Sequence, residues 1–143
     1  MNVFVVYCVV TADEKEKQSY ILSLDKEKII FPIYKLESPR YILNEIRYNV
    51  KSIFDSKVIK FIEQVIVSGL DIKNELLIDY IKEIDTHQIY DLDHDLFLLC
   101  GIVIQKLDIV DPNFNWLKFK YSIQDKVSQP VYGIIDSILQ NSL

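Results

Sequence analysis

The sequence predicts a single α+β domain, a mixed sheet flanked by helices. Three observations carry this. Residues 3–10 form an unbroken apolar, β-branched run, the mark of a buried strand. Three later stretches place apolar residues at helical spacing. The 143 residues contain only 3 glycines and 4 prolines, with no repeat or linker that would divide the chain.

Residues 11–18 (TADEKEKQ) read as a polar loop after that first strand. Residues 20–24 and 29–34 read as second and third strands, with residues 25–28 as a polar turn of hairpin length. Ser38-Pro39 announces a helix over residues 39–54: serine offers a cap, and proline fits the first helical position. Its apolar stripe is Ile42, Ile46, Val50 and Ile53 or Phe54. Residues 57–67 fit either a strand or a short helix. A second stripe, Ile72, Leu76, Leu77, Tyr80, Ile81 and Ile84, predicts another helix, with Asp71 at its start and Lys82 near its end suiting the dipole. Residues 87–95 are a polar, acidic connection and Leu96–Ile104 a buried strand. Asp111-Pro112-Asn113 is a turn. Residues 116–123 alternate, with Leu117, Phe119, Tyr121 and Ile123 opposite Trp116, Lys118, Lys120 and Ser122. Pro130 opens a last helix whose apolar face is Val131, Ile134, Ile135, Ile138 and Leu139.

Half of the residues are apolar and 26% charged, an ordinary globular composition. The net charge of −5 is spread without a basic block, so nucleic acid is not indicated as a partner. Cys8 and Cys100 lie in apolar runs and read as buried free thiols of a reducing compartment, with one disulfide between them as the alternative. The apolar N-terminus lacks the basic flank of a signal peptide, and no run is long enough to span a membrane. These features point to a cytoplasmic or particle-associated protein, not secreted and with no membrane partner. The isoleucine-rich composition matches AT-rich genomes, as in many viruses, protists and some bacteria.

One stretch, residues 20–54 (YILSLDKEKIIFPIYKLESPRYILNEIRYNVKSIF), resembles the Nudix hydrolases. Phe31 to Glu37 is similar to their Leu-Pro-Gly-Gly-Lys-like loop, and Tyr41 to Val50 to the helix that follows. Trp116 and the helix from Pro130 resemble the family's ending. The resemblance implies an α/β/α-like sandwich. It also implies a metal site whose carboxylates lie in the motif G-x5-E-x7-R-E-U-x-E-E-x-G-U, U being aliphatic, and whose metal activates water against a diphosphate. The departures are specific. Ile33-Tyr34 stands where two glycines belong, and the connection to the helix is about four residues shorter. Asn44-Glu45 takes the Arg-Glu place, Tyr48-Asn49 that of the paired glutamates, and Lys51 that of the closing glycine. Only Glu45 remains as a metal-facing carboxylate. One carboxylate cannot supply the hard oxygen ligands a diphosphate and its metals need, so the resemblance implies a site without catalysis and without a cofactor.

Asp91, Asp93, His94 and Asp95, with His87 upstream, carry metal-ligating atoms. The competing reading is a solvated connection, since no EF-hand or HExxH spacing is present. Cys100 sits mid-strand and reads as a small core residue rather than a nucleophile. Tyr41, Tyr48, Tyr80 and Tyr90 could stack bases, or else pack at helix edges. No P-loop, GxGxxG or G-x-S-x-G is present.

Three functions compete. The first is a non-catalytic structural or interaction protein on a degenerate scaffold, a subunit of a larger assembly such as a virus particle, with Tyr34, Tyr41, Tyr48 and Trp116 as contact anchors toward other proteins. The second is a divergent Nudix hydrolase or decapping-type enzyme with replacement carboxylates drawn from Glu37, Glu45, Asp91, Asp93 and Asp95. The third is a nucleotide- or RNA-binding module that has lost turnover.

Overall fold

The computed structural model describes residues 1–13, 15, 17–55, 70–84, 89–119 and 127–141. The ambiguous run 57–67, His87 and residues 120–123 of the alternating segment lie outside them. The elements are β1 (Val3–Asp13), β2 (Gln18–Ser23), β3 (Ile33–Lys35), a 3₁₀ turn (Pro39–Tyr41), α1 (Ile42–Ile53), β4 (Leu70–Ile72), α2 (Asn74–Glu83), β5 (Leu96–Ile104), β6 (Asn115–Phe119) and α3 (Gln129–Asn141).

β1 is the spine of the sheet. Along one edge it pairs in parallel with β5, from Val3 opposite Leu96 to Thr11 opposite Ile104. Along the other it meets β3 at Phe4–Val6 and β2 at Val10–Asp13, both antiparallel. The strand order is β4-β5-β1-β2-β6, with β3 beside β1, so the sheet is mixed. Helices cover β1 on both faces, which is why residues 3–10 show no polar alternation.

α1 packs on one face, where Ile46, Val50, Ile53 and Phe54 meet Val5, Tyr7 and Val9 of β1, Leu22 of β2, and Cys100 and Ile102 of β5. α2 and α3 pack on the other. There Leu77, Tyr80, Ile81, Val131, Ile134, Ile135 and Ile138 meet Phe4, Val6, Cys8, Val10, Phe97 and Leu99. The predicted α3 face matches these contacts, and Leu117 and Phe119 of β6 pack toward α2 and α3 while Trp116 packs toward α1. Among the described residues, no helix is long and apolar enough to cross a membrane.

Several elements differ from their sequence reading. β1 runs on to Asp13 through part of the predicted loop. The third strand shrinks to Ile33–Lys35, and β2 and β3 do not form a hairpin with each other. Counted from Val10↔Ile21, the residue opposite Cys8 is Ser23; counted from Val6↔Ile33, it is Phe31. β2 and β3 are therefore one line along β1 with residues 24–30 looped out. The loop is closed by the Leu24 N–H on the Ile30 carbonyl (2.9 Å). The buried Ser23 hydroxyl fastens it further, donating to the Lys28 carbonyl (2.7 Å) and accepting from the Asp25 (3.1 Å) and Ile30 (2.9 Å) amides. The stripe read as beginning at Ile72 begins as the edge strand β4, with α2 starting at Asn74. Asn74 spends its side-chain oxygen on the Phe97 N–H of β5, at 2.7 Å.

The chain re-enters the sheet at Phe31, whose N–H finds no strand partner there and instead donates to the Tyr80 hydroxyl of α2 at 2.9 Å. Both residues are buried, and their rings lie 5.1 Å apart. Tyr80→Phe keeps the ring but leaves a buried N–H unsatisfied. It should cost about 1–3 kcal/mol, measured by urea unfolding. Unchanged stability would show that water reaches the amide.

Candidate functional site

The candidate site is α1 with the segment leading into it, because the sequence places its chemistry-bearing residues there. Glu45 is committed to the backbone. Its carboxylate accepts the Glu37 N–H at 3.0 Å and the Ser38 N–H at 2.7 Å. This is the backward-reaching half of a capping arrangement, in which a helix carboxylate satisfies amides ahead of the first turn. Ser38 makes no side-chain cap of its own, contrary to expectation, so the helix start depends on Glu45 and on Pro39.

Asn49, at the place of a paired glutamate, donates its amide to the Tyr7 hydroxyl of β1 at 3.1 Å. Tyr7 is 1% exposed, and burial pushes its phenol well above the ordinary range. Tyr34 stacks edge-on against Tyr7 at 5.1 Å. Burial, and then the negative charge of Asp111, raise the Tyr34 phenol too. The region beneath α1 is thus a neutral phenol–amide cluster. Among the described residues, no group of three or more His, Cys, Asp or Glu side chains could hold a metal ion.

Tyr48 points outward from α1 and is 74% exposed; Tyr41 is 52% exposed, with the Arg40 guanidinium 5.7 Å from its ring centre. Of the four expected contact anchors, these two are displayed. The other two are partly buried and make contacts within the chain. Tyr34 is half-buried against Tyr7. Trp116 donates its indole N–H to the Leu107 carbonyl at 2.8 Å and stacks on Phe54 at 5.6 Å, so it packs into the core. Tyr80 and Tyr90 follow the packing alternative: Tyr80 is fully buried, and Tyr90 meets Phe4 edge-on at 4.6 Å. The sequence signal separating Tyr41 and Tyr48 from the rest was their place on and beside the predicted helix, opposite the stripe of Ile46, Val50 and Ile53.

The acidic connection is a turn that serves β1. Asp95 is 7% exposed and accepts the Asn2 N–H (3.1 Å) and the Asp91 N–H (2.8 Å), tying the start of β1 to the turn before β5. Asp91 accepts the Asp93 N–H and pairs with His94 Nδ1 at 3.0 Å, which holds its carboxyl below the usual range. Asp93 is exposed beside them. The loop therefore uses Asp91 and Asp95 within itself.

Both cysteines are buried free thiols. Cys8 faces α2 and α3, while Cys100 faces α1, so the alternative of a disulfide between them is excluded by the sheet itself. Burial raises both, Cys100 to about 12 and Cys8 further. A group protonated more firmly in the folded state contributes stability below its unfolded pKa, and that contribution is lost as pH rises through its folded pKa. The buried phenols of Tyr7 and Tyr80 act in the same direction. Stability should therefore hold through neutrality and fall above about pH 9, the free-thiol range. A thiol reagent should react at pH 8 only as fast as the protein unfolds. Rapid labelling of the folded protein would contradict this.

No protein-family model, curated protein or solved structure matches the chain.

Proposed function

We propose that the chain is a non-catalytic interaction protein on a degenerate Nudix-like scaffold, acting as a cytoplasmic or particle-associated subunit of a larger assembly. One observation carries this reading. The α1 positions that the family uses for metal ligands are spent otherwise: Glu45 on two backbone amides, Asn49 on the Tyr7 hydroxyl, and Tyr48 on display to solvent. A hydrolase of this type concentrates carboxylates so that a metal can acidify water and offset phosphate charge. A helix whose single inner carboxylate already accepts two N–H groups, beside two phenols and an amide, offers no such field.

The test is an assay of the purified protein with Mg²⁺ and with Mn²⁺ against nucleoside triphosphates, dinucleoside polyphosphates, ADP-ribose and capped RNA. No turnover above the metal-only blank is expected. Glu45→Gln should keep one acceptor and lose the other, lowering stability by about 1–2 kcal/mol while leaving the fold and the biological role in place. Metal-dependent turnover that disappears in Glu45→Gln would overturn the reading in favour of a divergent hydrolase.

A further inference from the structure

We draw no further inference here: the strongest candidate, the groove between the 24–30 loop, β6, the end of α2 and the start of α3, sets Lys26, Lys28 and Lys118 against Glu27 and Glu83 around an apolar floor, and nothing in the structure shows what covers it.

Discussion

A chain ending at Gln129 should fail to fold. Removing Pro130 onward takes away α3 and with it Val131, Ile134, Ile135 and Ile138, all buried against the sheet face shared with α2. Each such side chain contributes about 1.5–3 kcal/mol on burial. Four of them together match the whole stability of an ordinary domain, about 5–15 kcal/mol. The loss extends beyond the helix. Val6, Cys8, Val10 and Leu99, now at most 2% exposed, would face water over much of one sheet face. Circular dichroism should show no cooperative melt, and the truncated chain should be found in the insoluble fraction. Ile134→Ala in the intact chain is the milder companion, with an expected cost of about 2–5 kcal/mol at a fully buried site. A truncated protein that melts like the full chain would show that α3 is an appendage.

The helices α1 and α3 were legible because each has one wet face, so their stripes carry a period of 3.6 that survives any packing detail. β5 was legible to its ends because a strand covered on both faces needs apolar residues throughout, and the run stops where cover stops. The junction of β2 and β3 was not. A polar tetrapeptide between two apolar runs is the ordinary mark of a hairpin. Here the two runs share one neighbour, β1, and the loop is fastened by Ser23, a residue with no local sequence signal for that role. β4 was lost inside a helical stripe because three residues are too few to set a period.

The site was legible by type more than by geometry. The absence of paired carboxylates on α1 could be read directly. What could not be read was where the remaining groups go, since Glu45 reaches back to amides seven and eight residues earlier and Asn49 reaches across to a different strand. The partners of Trp116 were hidden for a related reason. A lone tryptophan on an alternating edge strand shows which face it takes, but Phe54, on which it stacks, comes from a distant part of the chain, and the Leu107 carbonyl is reached only because the intervening loop folds back.

Gly101→Ala should destabilise the fold, and should cost less when Ile138 is already alanine. Gly101 sits mid-strand in β5 opposite Cys8, on the face under α3. A β-carbon built there would fall on Ile138 Cδ1 and stand 3.1 and 3.2 Å from its Cγ1 and Cγ2. Rotating the terminal methyl clears only the first of these. The two Cγ atoms are fixed by a χ1 that a β-branched residue in a helix has little freedom to change. The Ile138 side chain must therefore give by a few tenths of an ångström where it seats α3 on β5. Inserting a methyl into a packed core costs about 1–3 kcal/mol, and removing most of the Ile138 side chain alone about 2–5 kcal/mol. The two changes fill and empty the same space, so the double variant should be more stable than the sum of the singles by about 1 kcal/mol or more. Urea unfolding of the four proteins completes the cycle. Additivity within about 0.5 kcal/mol would mean that the two residues do not compete for that volume, and that the seat of α3 on β5 tolerates a side chain at residue 101.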